Sequence, residues 1–229
     1  MAIILTHFSA TAQQHCEVAI PSLAPHGYMA VDLFFVLSGF IMSYTYLAPF
    51  QANGFAAFPT FLGKRLARIM PLNVAVLLIL VLSAFVSQAV LGRNIFFDSK
   101  NLPYDLTVNL LMLQGLGVGM NLNGPSWSIS TEFAAYLIFP ILIVFMFHRR
   151  AVVWLGALAV AVALLCWEES LRRSLGLGGF SQGVIRCFSE FVMGMGSYRL
   201  YRNRRYSAWL GQDFVTFALV FACVALLVL

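Results

Sequence analysis

Charge is what this chain has least of. Asp, Glu, Lys and Arg make up 10% of its 229 residues, against roughly 25% in soluble domains, whose folded surface must stay solvated. So few charges cannot cover a water-facing globule, and the outer surface must face lipid. Cysteine is scarce too. Cys16, Cys166, Cys187 and Cys223 show no metal-ligand spacing, so no metal centre is expected and no disulfide follows. The basic residues do not cluster into a nucleic-acid patch. They lie scattered between apolar runs, which excludes nucleic acid as the expected partner and points to loops flanking membrane spans. The opening apolar stretch lacks a basic n-region and a small-residue cleavage site, so a cleaved leader is not expected. Internal repeats and low-complexity tracts are absent.

What is there is apolar. Hydrophobic residues form 61% of the chain and its mean hydropathy is +0.86. A spanning helix needs about 20 mainly apolar residues. Candidates are Met1 to Gln13 (short), Ala30–Leu47, Ile69–Leu91, Phe133–Phe147, Ala151–Trp167, Val184–Leu200 and Phe214–Leu229. Asp105–Met120 is marginal and glycine-rich. Lys64, Arg65, Arg68, Arg149, Arg150, Arg199, Arg202, Arg204 and Arg205 fall in one set of loops, nine of the 14 basic residues. The positive-inside rule makes that set cytoplasmic. Arg93, Lys100, Arg172 and Arg173 take the other side, provided Asp105–Met120 is re-entrant or surface-lying. The expected fold is all-α, a polytopic transmembrane bundle of about seven crossings plus that one segment, with the N-terminus cytoplasmic. Both ends break off inside apolar sequence, so a chain truncated at both ends is expected.

Ionisable residues within spans are costly and mark candidate sites. His7 stands in MAIILTHFSA, where its imidazole can serve a hydroxyl nucleophile as general base or bond a neighbouring helix. Asp32, opening the second span, either caps its helix or orients a histidine or arginine of the first. Ser38 and Gly39 read as small residues for close helix contact. In FLGKRLARIMP, Arg65 and Arg68 share a helical face. Two guanidiniums there suit phosphate through forked hydrogen bonds, or anchor a cytoplasmic loop, with Pro71 starting the next run. In NLNGPSWSISTEFAAYLIFP, a turn at Asn123–Pro125 precedes a span from Phe133. Trp127 is expected at the interface, with Ser128 and Glu132 on one face. Glu132 caps the helix, binds a sugar hydroxyl or meets a catalytic partner. Arg186 and Glu190, four apart, are expected to pair, and Gly194 and Gly196 to permit helix contact. His15, His26 and His148 carry no signal, while Glu168, Glu169, Arg172 and Arg173 read as a solvated loop.

Four of these segments, in this order, resemble the membrane acyltransferase-3 family: His7 in the first helix, HGYMAVDLFFVLSGFIMSY, FLGKRLARIMPLN and GPSWSISTEFAAYLIFP. A weaker echo is the later IRCFSEFVMG. The resemblance implies one partial acyltransferase-3 domain over 1–229, from a bundle of around ten membrane helices. It implies transfer of an acyl group, commonly acetyl from acetyl-CoA as donor co-substrate, to a hydroxyl of a cell-surface or exported carbohydrate such as lipopolysaccharide or exopolysaccharide. His7 matches the family's first-helix histidine, Arg65 and Arg68 its RxxR pair, and Trp127, Ser128 and Glu132 its tryptophan, serine and acidic motif. No metal is implied, and the expected place is the bacterial inner membrane. The sites then read as His7 and Glu132 catalytic, Arg65 and Arg68 donor-binding, and Trp127, Ser128 and Asp32 acceptor-binding. The family's arginine or lysine three turns before the histidine would fall ahead of Met1, and Ala30 replaces its glycine. The alternatives are a transporter or flippase using His7, Asp32 and Glu132 as a path, or an inactive truncated member.

Overall fold

The structure, a computed structural model, describes residues 28–94, 99–175 and 180–202. The expected first and last crossings, and with them His7, lie outside the described residues. Five long helices make up most of the rest: α1 (Tyr28–Asn53), α2 (Phe58–Leu91), α4 (Trp127–Met146), α5 (Ala151–Leu175) and α6 (Phe180–Arg202). A short α3 (Leu102–Leu110) and 3-10 turns at Gly54–Ala57, Gln114–Leu116 and Gly124–Ser126 complete the order, with no strand among the described residues. Three stretches are long and apolar enough to cross a membrane: Ala30–Leu91, which spans both α1 and α2, then Gly124–Met146 and Ala151–Glu168. Their outward faces carry exposed Leu78, Ile79, Leu82, Phe85 and Val90 of α2, and Val152, Leu155 and Val160 of α5. Such a surface is stable against lipid and not against water.

The chain runs α1, α4 and α6 parallel to one another, with α2 and α5 antiparallel to them. Asp32 meets Arg186 and Phe40 meets Tyr198, one after the other along α1 and α6. Likewise Phe35 meets Trp127 and Phe50 meets Phe139 along α1 and α4. Gly39 and Gly194 make the α1–α6 seam possible. A Cβ on Gly39 would lie 2.0 Å from the Phe191 carbonyl oxygen, and one on Gly194 1.9 Å from that of Val36. The expectation that these glycines permit helix contact is met. Between the helices lies an aromatic core of fully buried Phe35, Phe61, Phe139 and Phe191. Phe61 stacks on Phe139 at 5.0 Å, and Phe191 meets Phe139 edge-on.

α3 has nine residues, a rise of about 13 Å, too short to cross a ~30 Å hydrocarbon layer. This matches the re-entrant or surface-lying segment read from the charge pattern. Its excursion is closed by polar bonds. Asp105 accepts from Ser99 Oγ (2.6 Å) and Met120 N (2.9 Å), and Asn109 donates to the Met120 carbonyl (2.7 Å). Ser130 of α4 donates to the Met112 carbonyl and accepts from Gly115 N (2.9 Å), tying the loop to the bundle.

Three sequence expectations change. FLGKRLARIMP is not a loop: α2 runs unbroken through it with Pro71 inside. A proline is tolerated within a membrane helix, where neighbouring groups re-satisfy the freed backbone. α4 begins at Trp127 rather than Phe133, so WSISTE forms its first turns. Glu168 is not in a solvated loop either; it lies on α5, 4% exposed.

Candidate active site

Helices α1, α2 and α4 border a half-open cavity of about 130 Å³. Its polar lining is Ser38 from α1, Arg65 and Arg68 from α2, and Glu132 and Tyr136 from α4. Phe34, Leu37, Ile41, Met42 and Ile69 supply apolar walls. Each polar group arrives by helical periodicity. Arg65 and Arg68 sit on one face of α2, as their spacing predicts, and Glu132 and Tyr136 are one turn apart on α4. α1 lies close enough for a short serine hydroxyl to reach the carboxylate.

That carboxylate is held firmly. Ser38 Oγ donates to Glu132 Oε1 at 2.5 Å and Tyr136 OH donates to the same oxygen at 2.6 Å. Both bonds end on Oε1, and among the described residues none reaches Oε2. Hydrogen bonds to an ionised group are shorter and stronger than neutral ones, so two hydroxyls on one oxygen fix the orientation of Glu132.

The two arginines are unequal. Arg65 is 8% exposed, and its guanidinium lies 4.9 Å from the centre of the Tyr46 ring. Its Nε is buried without a hydrogen-bond partner, and no ion pair to it occurs among the described residues. Arg68 is exposed at the cavity. A buried cation without a counter-charge is expensive, so the aromatic face of Tyr46 offsets only part of the cost of burying Arg65.

A second cluster lies on the other side of α1. Arg186 Nη2 donates to both oxygens of Asp32, at 2.5 and 2.6 Å. Asp32 is therefore tied to an arginine of α6, a partner not foreseen for it; the first helix, whose histidine or arginine it is expected to orient, lies outside the described residues. Glu190 and Glu168 stand near this pair, so Arg186 serves more than the Glu190 foreseen for it. One oxygen each of Glu168 and Glu190 is buried without a hydrogen bond.

Of the residues expected to form the site, the structure joins Glu132 with Arg65 and Arg68 in one cavity. The charge pattern placed Glu132 and the arginines on opposite sides of the membrane. Ser128 is not in the cavity; its hydroxyl bonds the Pro125 carbonyl at 3.1 Å, at the start of α4. Trp127 packs against Phe35 and against Gly183, where an added Cβ would touch the indole at 3.0 Å. Ser38 and Tyr136 were missed. Ser38 had been read as a packing residue, and only its distance from Glu132 in space, 94 positions away in sequence, reveals the bond. Tyr136 carried a readable signal, since it stands one turn after Glu132.

A helical bundle apolar on its outside, with charged side chains gathered at a half-open cavity between its helices, defines a polytopic membrane protein with a site among those helices. The acyltransferase domain of the acyltransferase-3 family matches residues 1–229, and the chain belongs to that family. It is similar to acyltransferase MdmB of Streptomyces mycarofaciens, 30% identical over 160 residues that cover 68% of this chain and 38% of that protein. It is also similar to protein 2 in the picA locus of Rhizobium radiobacter, 32% identical over 131 residues, 52% of this chain and 68% of that one. A protein of Haemophilus influenzae without an assigned role is 27% identical over 128 residues, covering 52% of this chain and 50% of that protein. The chain thus spans 38% and 50% of the length of two of these relatives. No solved structure matches it.

Proposed function

We propose that the protein is an integral membrane O-acyltransferase that moves an acyl group, acetyl in the simplest case, from acyl-CoA to a hydroxyl of a carbohydrate. The observation that carries this reading is the cavity in which Arg65, Arg68 and Glu132 converge between α1, α2 and α4. Family membership supports the reaction class. Arg65 and Arg68 take the donor, entering from the cytoplasmic side on which their end of α2 lies by the positive-inside rule. His7 takes the proton of the attacking hydroxyl. Glu132, pinned by Ser38 and Tyr136, presents Oε2 to that hydroxyl and orients it, while Trp127 and Asp32 lie toward the acceptor side. The protein would act in the bacterial inner membrane, with its N-terminus cytoplasmic, on an exported polysaccharide or lipopolysaccharide.

The test is transfer of labelled acetyl from acetyl-CoA in membranes holding the native protein, His7→Ala or Glu132→Gln. General acid–base groups contribute roughly 10²–10⁴-fold, so His7→Ala should lose at least about a hundredfold in rate, and Glu132→Gln, which loosens the hold on the hydroxyl, should also slow transfer. Equal transfer by native and His7→Ala protein removes His7 from the reaction.

A further inference from the structure

We infer that Arg65 and Arg68 meet the reacting thioester carbonyl of the donor rather than its phosphates. This rests on the acyl-CoA reading above and says which part of the donor the cavity receives.

Depth is the first argument. α1 continues from Met42 to Asn53, and α4 from Glu132 to Met146. At 1.5 Å per residue the cavity lies about 16 to 21 Å from those helix ends, and Arg65 and Arg68 stand about 10 to 15 Å from the start of α2. A donor entering there has its phosphates at the ends and its pantetheine arm in the bundle. Size is the second. The cavity is half-open and about 130 Å³ in volume, which matches the acyl thioester end of the donor better than its bulkier nucleotide.

Charge is the third argument. Glu132 lines the same cavity as the guanidiniums and would repel a phosphate. A thioester carbonyl is neutral until attacked, so Glu132 does not oppose its binding. Arg65 itself is buried with an unpartnered Nε, and no ion pair to it occurs among the described residues. Such a group is preorganised for negative charge that appears only during reaction, which is how oxyanion stabilisation works.

The step balances. The acceptor oxygen attacks the carbonyl carbon, a C–O bond forms, and the carbonyl π pair moves onto oxygen beside the guanidiniums. The hydroxyl proton passes to the His7 imidazole. The oxyanion collapses, the C–S bond breaks, and the CoA thiolate takes the proton back.

The experiment compares S-acetyl-CoA with S-acetylpantetheine, which has the thioester and no phosphate, as donors for the native protein, Arg65→Gln and Arg68→Gln. Removing one oxyanion donor costs about 10²–10³ in kcat. Each variant should therefore lose kcat by a similar factor with both donors, while the Kd of unacylated CoA changes less than about threefold. Retained CoA binding also shows that the variants are folded. A loss confined to S-acetyl-CoA, or CoA binding weakened more than about tenfold in either variant, overturns the inference in favour of phosphate recognition. If the native protein does not use S-acetylpantetheine, CoA affinity alone decides by the same limits. No transfer by the native protein from either donor overturns the acyltransferase reading, and this inference with it.

Discussion

Gly194→Ala tests the seam that brings the functional helices together. The new Cβ would stand 1.9 Å from the Val36 carbonyl oxygen, 2.8 Å from its carbon and 2.9 Å from Phe40 N. These atoms are all backbone, so no side chain can swing away. An ordinary carbon–oxygen contact is about 3.3 Å, which requires α1 and α6 to part by roughly 1.4 Å there. Gly39, on the facing helix, is in equally close contact with Phe191, so separation also opens that contact and stretches the Asp32–Arg186 pair from 2.5 Å. Overpacking of a tight interior costs about 1–3 kcal/mol; with α1 backbone as the obstacle the upper end applies. Alanine also gains about 1 kcal/mol of helix propensity over glycine. Gly156→Ala isolates that gain, because nothing lies within 4 Å of a Cβ there. Thermal unfolding in detergent micelles should show Gly194→Ala lower than Gly156→Ala by about 3 kcal/mol, or roughly 6–12 °C for a chain of this length. Equal midpoints for the two variants would refute the close-packed seam.

Two further outcomes follow from the charged groups. Arg186→Ala leaves the carboxylates of Asp32, Glu168 and Glu190 together without that cation, and stranding buried charge costs about 3–5 kcal/mol. The double variant Asp32→Asn, Arg186→Gln should recover part of this loss, as a double-mutant cycle in micelles would reveal; strictly additive losses would count against the pair. Ser38→Ala and Tyr136→Phe each remove one hydroxyl from Glu132 Oε1, a charge-assisted bond worth about 1.5–3 kcal/mol. If Glu132 orients the acceptor, both should depress acetyl transfer, and their combination should approach Glu132→Gln; activity unchanged by the pair would mean that Glu132 needs no fixing.

Much of the fold was legible because lipid exposure writes itself into composition. The scarcity of charge and the spacing of apolar runs give the helices of the bundle, and the segment Asp105–Met120 that the charge pattern sets apart holds no long helix. Boundaries were misread where one signal had two physical meanings. Pro71 reads as a start in water-soluble sequence, yet it sits within α2. The polar run WSISTE reads as the approach to a span from Phe133, yet it forms the first turns of α4, where Ser128 and Ser130 bond backbone carbonyls of the turn and the loop before it. Glu168 reads as solvated because arginines follow it, although α5 carries it into the interior. The site was half legible. Arg65, Arg68 and Glu132 stood out by type and spacing, but the bonds joining Ser38 to Glu132 and Asp32 to Arg186 span 94 and 154 positions. No local pattern encodes such contacts; only the parallel course of α1, α4 and α6 creates them.

That course also sets two electrostatic environments on opposite sides of α1. The cavity toward α2 and α4 gathers two guanidiniums and one carboxylate, an excess of positive charge. Among the described residues, the cluster toward α5 and α6 gathers three carboxylates around Arg186, an excess of negative charge. In a low-dielectric interior such differences act strongly on any charge that develops nearby. Acyl transfer creates negative charge on the carbonyl oxygen, which the first environment favours and the second resists. On the proposed function, reaction is therefore directed to the α1–α2–α4 face. Reversing the cavity's balance with Arg65→Glu should abolish transfer, even if the bundle holds its fold. A neutral change in the other cluster, Glu190→Gln, should leave the chemical step within a few-fold of native. Single-turnover rates of acetyl transfer in membranes decide this, and a Glu190→Gln protein as slow as Arg65→Glu would show that the chemistry sits on the other side of α1.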